Sequence, residues 1–261
     1  MTETGRLESH LRERRAAGRS LLVPYVTGGV TEDWLDCVRA CADAGADAIE
    51  IGLPFSDPML DGPTIQAASD RALQRGVTPD GVLAELADLR LSVPLVVMTY
   101  ANIVLRAGVE AFGRRLADVG VSGIIVPDVP FHELEEFAAV HRTTGVEMVL
   151  LAAPATEPAR LQQIAQHSRG FVYGVTVMGT TGERTDLAAS AARVATRVRA
   201  LTDRPVLLGF GISTPAHAVE AAGHADGVVV ASALMRRLLD GAGPAAVAAD
   251  VAALRSALDN R

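Results

Sequence analysis

The chain has 261 residues, 49% of them apolar and 4% aromatic, and its 24 basic side chains are all arginine against 31 acidic ones. Without a lysine it has no side-chain amine for a Schiff base, for holding pyridoxal phosphate or for a P-loop phosphate cradle, so those lysine chemistries are excluded for this chain. A formal net charge of −7 argues against nucleic acid, and no signal-peptide pattern or membrane-length apolar run is present, which makes a soluble, cytoplasmic protein the expectation.

In chain order, a helix over about residues 7–17 precedes the apolar run Leu21–Val26. The helical pattern Glu32–Ala44 follows, then the run Ala48–Leu53 and two helical patterns, Gly62–Gln74 and Asp80–Leu91. Next come Leu95–Thr99, the helix Val109–Val119, Gly123–Val126, the helix Glu133–Thr143, Glu147–Ala152 and the helix Pro158–Ser168. Phe171–Val175, the helix Leu187–Thr202, Val206–Gly209, the helix Pro215–Ala222, Gly227–Val230 and the helices Ser232–Leu239 and Pro244–Leu258 complete the chain.

Eight short, continuously apolar strands alternating with helices predict a parallel sheet covered on both faces. Eight units favour closure into an α/β fold of the (β/α)8 TIM-barrel type, as one domain over residues 1–261, with an open doubly wound sheet as the competing fold. A weak internal repeat agrees with this: Ala44-Gly45-Ala46-Asp47, Val119-Gly120-Val121-Ser122 and Gly223-His224-Ala225-Asp226 each lead into a strand. Extra short helices are expected after the second and eighth strands, and the latter matters because such barrels often bind phosphate at the N-terminus of a short helix there.

In the second strand Ile49, Ile51 and Leu53 alternate with Ala48, Glu50 and Gly52. If the bulky set faces the helices, Glu50 points into the barrel, and a buried carboxylate needs either an ion-pair partner or a function. The loop after it carries Asp57 and Asp61, which fit the active-site end of a barrel but also ordinary turn and capping chemistry. Met178-Gly179-Thr180-Thr181-Gly182, Gly209-Phe210-Gly211-Ile212-Ser213 and Ala231-Ser232-Ala233 follow three consecutive strands, and glycine-rich backbone with a helix start suits an anion. Tyr25, Tyr100 and Tyr173 fall near strand ends and, with Phe210, suit a flat aromatic ligand or plain core filling. Five of the six histidines lie on helices or helix ends, so no metal site is expected. Cys37 and Cys41, four apart on one helix, read as core.

Taken together, Glu50-Ile51-Gly52-Leu53-Pro54-Phe55-Ser56-Asp57-Pro58 and Asp61-Gly62-Pro63-Thr64-Ile65-Gln66 resemble the signature of the tryptophan synthase alpha subunit family. Pro24-Tyr25-Val26-Thr27-Gly28, Met98-Thr99-Tyr100-Ala101-Asn102, Val126-Pro127-Asp128-Val129-Pro130, Gly170-Phe171-Val172-Tyr173, Gly179-Thr180-Thr181-Gly182 and Gly209-Phe210-Gly211-Ile212-Ser213 extend the likeness from about Leu21 to Leu234. The resemblance implies retro-aldol cleavage of indole-3-glycerol phosphate to indole and glyceraldehyde 3-phosphate. It makes Glu50 the general acid/base and Asp61 the second catalytic carboxylate, holding the ring N–H. It also assigns Tyr25, Met98, Tyr173 and Phe210 to the substrate pocket and Thr181 to a closing loop that reaches the second carboxylate. Gly182, Gly211, Ala231 and Ser232 match phosphate-holding positions.

The family works as an αββα heterotetramer, in which a beta subunit carrying pyridoxal phosphate joins indole to serine. Asp57, Pro58, Asn102, Asp128 and Glu133 match positions at or near that interface, and no cofactor is expected in this chain. The sequence departs from the family at Gly29-Val30, usually Asp-Pro, and at Thr180, usually Val. Two further departures are Ala231, usually Gly, and Phe131-His132-Glu133, often paired acids. None removes a catalytic carboxylate. A free-standing indole-3-glycerol phosphate lyase and a weakly catalytic paralogue that activates a beta subunit are the alternatives.

Overall fold

The computed structural model describes residues 4–175, 184–209 and 211–261. Its eight strands are β1 (Leu21–Thr27), β2 (Ile49–Gly52), β3 (Leu95–Met98), β4 (Val121–Ile125), β5 (Glu147–Ala152), β6 (Val172–Val175), β7 (Val206–Gly209) and β8 (Gly227–Val230). They pair in parallel in sequence order, and β1 pairs with β8 from Leu21↔Gly227 to Pro24↔Val230, so the barrel closes. The open sheet is ruled out.

The helices of the described residues are α1 (Arg6–Ala16), α2 (Trp34–Asp43), α3 (Pro63–Gln74), α4 (Pro79–Leu86), α5 (Ala101–Ala107) and α6 (Val109–Asp118), then α7 (Leu134–Thr144), α8 (Pro158–His167), α9 (Arg184–Arg199), α10 (Pro215–Ala222), α11 (Ser232–Leu239) and α12 (Pro244–Asp259). The expected extra helices after the second and eighth strands are α3 and α11. A third, α5, stands after β3 where none was expected. It has no cap of its own: the Ala101 N–H donates to Asp128 Oδ1 at 2.8 Å, from a loop 27 positions later. The segment expected as one helix from Glu133 opens instead with a 3-10 turn, Phe131–Glu133, before α7.

Alternation sorts the strand side chains into two apolar layers. Ile49, Ile51 and Leu53 face outward and pack with helix residues such as Trp34 and Val38. Leu21, Val23, Ala48, Val96, Val149 and Leu207 fill the barrel. Its floor is plugged by Leu7 and Leu11 of α1. Gly123 and Gly170 make room for that plug, since a Cβ there would lie 2.6 and 2.5 Å from Leu7 Cδ2.

Buried charge at this floor is paired. Glu147 caps α1 from 140 positions away: its Oε2 accepts from Leu7 N–H at 2.6 Å, and Glu8 N–H donates to both of its oxygens at 3.2 Å. Burial nonetheless lifts the Glu147 carboxyl to about 7. Glu8 pairs with Arg12 at 2.8 Å and Arg204 at 3.2 Å. Asp47 and Asp226 occupy the same place in two copies of the internal repeat, and each closes a neighbouring strand. Leu22 N–H donates to Asp47 at 2.9 Å and Val206 N–H to Asp226 at 2.8 Å. Arg19 and Arg255 neutralise Asp47 at 2.7 and 3.3 Å. The acidic residue of the repeat is therefore a structural device, and the chemistry has to be sought at the other end of the barrel. Among the described residues no helix is long and apolar enough to cross a membrane.

Candidate active site

Four carboxylates lie fully buried in the described chain: Glu8, Asp47, Glu50 and Glu147. Only Glu50 has an orphaned oxygen: its Oε2 is buried with no hydrogen-bond partner among the described residues. Strand β2 puts it there. With Ile49 and Ile51 turned to the helices, Glu50 must enter the barrel, between Tyr25 of β1 and Val96 of β3 in register. An uncompensated carboxylate in an apolar interior favours its neutral form. Burial first, and the charge of Asp61 second, push the Glu50 carboxyl up to about 8.

Asp61 reaches the same region from the loop between β2 and α3. Phe55 stacks on Tyr100 with centroids 5.0 Å apart, and the Tyr100 hydroxyl accepts from Leu60 N–H at 3.2 Å, which pins the loop over the barrel mouth. The Gln66 amide donates to the Asp61 carbonyl at 2.9 Å, so Asp61 rides on the first turn of α3. Burial raises the Asp61 carboxyl to about 6, while hydrogen bonding by Tyr100 pulls it downward. Two carboxyls with separated pKa values, set in an apolar mouth, make an acid and a base available together near neutrality.

Tyr25 and Tyr173 extend into the barrel, and two glycines make space for them. A Cβ at Gly52 would sit 1.8 Å from the Tyr25 hydroxyl, and one at Gly209 would sit 2.2 Å from the Tyr173 ring. Thr27 Oγ1 donates to the Tyr25 hydroxyl at 3.2 Å, and burial raises both phenols far above their ordinary pKa, so they remain neutral. Met98 ends β3 and packs on both apolar layers. Tyr100 differs from the other two tyrosines in lying beyond its strand, as a prop for the Leu60–Asp61 backbone. Sequence reasoning missed that role, and it missed the part played by Gly52 and Gly209. Only the three-dimensional contacts reveal either.

At the other expected subsite, Gly211 is exposed with φ +39°, Ala231 precedes α11, and Ser232 opens it with an exposed side chain. Gly211, Ala231 and Ser232 thus bring a glycine turn and a helix N-terminus to adjacent strand ends. Thr181, Gly182 and Phe210 lie outside the described residues. Of the positions expected at a partner surface, Asp57, Asn102 and Glu133 are exposed, Pro58 is buried and Asp128 is occupied in capping α5. Close to them in sequence the structure exposes Met59 by 82%, Leu60 by 58% and Leu105 by 50%, large apolar side chains that sequence reasoning did not single out. No group of three or more His, Cys, Asp or Glu is placed to hold a metal ion among the described residues. Cys37 and Cys41 are buried, and burial pushes both thiols up to about 12, as core residues.

The model of the family described as "Tryptophan synthase alpha chain" matches residues 11–260. The tryptophan synthase alpha chain of Gloeobacter violaceus is 43% identical over 244 residues, covering 91% of this chain and 88% of that protein. That of Chloroflexus aggregans is 44% identical, covering 86% of each. Among solved structures, Mycobacterium tuberculosis tryptophan synthase superposes with a TM-score of 0.90 at 37% identity, covering 98% of this chain and 99% of that one. The alpha subunit from Legionella pneumophila superposes with a TM-score of 0.89 at 28% identity, over 99% and 100% of the two chains. A closed eight-stranded barrel with an orphaned carboxylate at its mouth, matched over nearly its whole length in sequence and in shape, places this chain in the tryptophan synthase alpha chain family.

Proposed function

We propose that this chain cleaves indole-3-glycerol phosphate into indole and glyceraldehyde 3-phosphate, with Glu50 as general acid/base and Asp61 as the electrostatic partner. The observation that carries this reading is the Glu50 carboxyl: buried, orphaned and lifted to about 8, it is neutral at pH 7 and holds a proton to give. Glu50 donates that proton to C3 of the indole, which turns the ring into an indolenine cation. Asp61, held to about 6 and ionised at pH 7, accepts from the ring N–H and stabilises the positive charge as it develops. Glu50, now a carboxylate, takes the proton of the adjacent side-chain hydroxyl. The carbon–carbon bond breaks, its electron pair restores the indole ring, and the hydroxyl-bearing carbon becomes the aldehyde. Atoms and charge balance, and the carboxyl ends protonated as it began.

The aromatic group lies among Tyr25, Met98 and Tyr173, and the family resemblance assigns Phe210 and Thr181 to the same substrate. The phosphate lies at the backbone of Gly182, Gly211 and Ala231, at the Ser232 hydroxyl and at the positive end of the α11 dipole, which needs no ammonium group. Indole passes to a beta subunit that supplies pyridoxal phosphate, which a lysine-free chain cannot hold covalently, in an αββα assembly. The exposed Met59, Leu60 and Leu105, flanked by Asp57, Asn102, Asp128 and Glu133, form a surface of the right character for that partner.

The test is indole release from indole-3-glycerol phosphate, with and without a beta subunit. Glu50→Gln, nearly isosteric, is expected to abolish release while leaving the fold intact. Retained turnover sinks the role given to Glu50, and wild-type turnover that a beta subunit leaves unchanged sinks the partner reading.

A further inference from the structure

Helices α3 and α11 meet across β1, and their contact joins the two halves of the site. Arg236, one turn into α11 from Ser232, donates through Nη2 to Thr64 Oγ1 at 2.6 Å. Thr64 is buried in the first turn of α3, three positions after Asp61. At the far end Arg71 of α3 donates to the Leu238 and Leu239 carbonyls at 3.2 and 2.8 Å, capping the last turn of α11. The Arg236 guanidinium is bonded to a neutral hydroxyl, whereas its neighbour Arg237 pairs with Asp250 at 2.9 Å. Choosing threonine over an acid leaves the cationic charge of Arg236, one turn from the helix start, without a carboxylate partner among the described residues. It also makes the bond directional. Behind Thr64 the path to Asp61 is short: Ile65 and Gln66 N–H groups donate to the Gly62 carbonyl at 3.0 Å, and the Gln66 amide holds the Asp61 carbonyl.

We propose that Arg236 and Thr64 form a latch through which an anion at the start of α11 fixes the position of Asp61, so that phosphate binding accelerates the chemical step itself. The inference rests on the reading of Asp61 and α11 given above. Arg236 and Thr64 are positioning residues. Neither is assigned contact with the reacting atoms.

The experiment compares wild type, Thr64→Val and Arg236→Met on indole-3-glycerol phosphate and on its unphosphorylated counterpart, indole-3-glycerol, the latter with and without inorganic phosphate. Thr64→Val keeps the shape and the arginine charge, so it removes the latch alone. It is expected to lower kcat on the phosphorylated substrate about tenfold, the effect of one charged hydrogen bond, with KM unchanged within about twofold. Wild type should be activated on indole-3-glycerol by added phosphate and Thr64→Val should not, while their turnover without phosphate is equal. Combining the two substitutions should cost kcat no more than Thr64→Val alone. Equal losses on both substrates, or a change in KM alone, overturn the latch. If wild type releases no indole at all, the activity reading fails. The latch is then judged by amide hydrogen exchange over residues 57–66 with glycerol 3-phosphate as probe. Protection that appears in wild type and disappears in Thr64→Val supports it, and protection that survives the substitution or never appears overturns it.

Discussion

Glu50→Gln should abolish indole release and at the same time stabilise the folded chain at alkaline pH. In the unfolded chain Glu50 ionises near its ordinary value of 4.5, and in the folded barrel it holds its proton to about 8. Between those two values the folded state binds the proton that the unfolded state has released, so wild-type stability falls as pH rises through this window and levels off above it. At about 1.4 kcal/mol per pH unit, the full displacement corresponds to an upper bound of about 4 to 5 kcal/mol. Relaxation and water entry in the ionised state lower this, so a gain of at least about 2 kcal/mol for the amide is the expected result. Glutamine cannot titrate and keeps the volume, so the difference between the two proteins isolates this one proton. Urea unfolding followed by far-UV circular dichroism at several pH values from 6 to 9 measures it, away from the sequence pI of about 5.4 where solubility is least. The stability gap should widen from pH 6 to pH 8 and then stay constant. A gap that is flat across that window, or one that favours wild type, refutes the claim that Glu50 is buried without a compensating partner.

The kcat/KM profile for indole release should be bell-shaped, rising through about 6 as Asp61 ionises and falling through about 8 as Glu50 loses its proton; Asp61→Asn should remove the acid limb. Gly52→Ala puts a methyl group 1.8 Å from the Tyr25 hydroxyl, so a loss of about 1 to 3 kcal/mol in urea unfolding is expected, together with lower turnover as the ring is displaced. Asp47→Asn removes the buried carboxylate that Arg19 and Arg255 share, leaving Arg255 with Asp259 as its acidic partner, and should cost about 3 kcal/mol by the same measurement without changing the pH profile. Leu105→Asp places a charge on the surface proposed for the partner and should weaken assembly with a beta subunit at least about tenfold by analytical ultracentrifugation.

Strand order and the inward aim of Glu50 were legible because both follow from local alternation: isoleucine on either side of a glutamate has one buried solution in a barrel wall. What escaped the sequence depends on contacts between distant segments. Helix α5 is seven residues without a cap, marginal by itself, and it stands because Asp128 supplies the missing acceptor. The same holds for the first turn of α1, whose cap is Glu147. Asp61 is an intermediate case. A turn aspartate before glycine is unremarkable as chemistry, and only the extended motif singled it out. Its raised pKa arises from burial under a loop held by Phe55, Tyr100 and Gln66, none of which advertises that function in the sequence.

The four buried carboxylates show why burial alone does not identify a catalytic group. Glu8, Asp47 and Glu147 lie at or near the floor of the barrel, and each has arginine or backbone N–H donors at 2.6 to 3.2 Å that offset much of its desolvation. Two of the three are tied to α1, and the third ties the β1 edge to the turn before β2. Glu147 and Asp47 fix backbone N–H groups and Glu8 gathers two arginines, so the fold gains order from each charge. Glu50 is as deeply buried and, among the described residues, has none of this for its Oε2. An evolved interior that satisfies its acids elsewhere and leaves one unsatisfied at the open end keeps that acid poised for a group that arrives with the substrate. Under this reasoning the missing partner is the ligand. A bound aromatic analogue that satisfies the carboxyl should therefore reduce the alkaline stability gap between wild type and Glu50→Gln, and a gap that saturating ligand leaves unchanged would mean that Glu50 does not face the substrate.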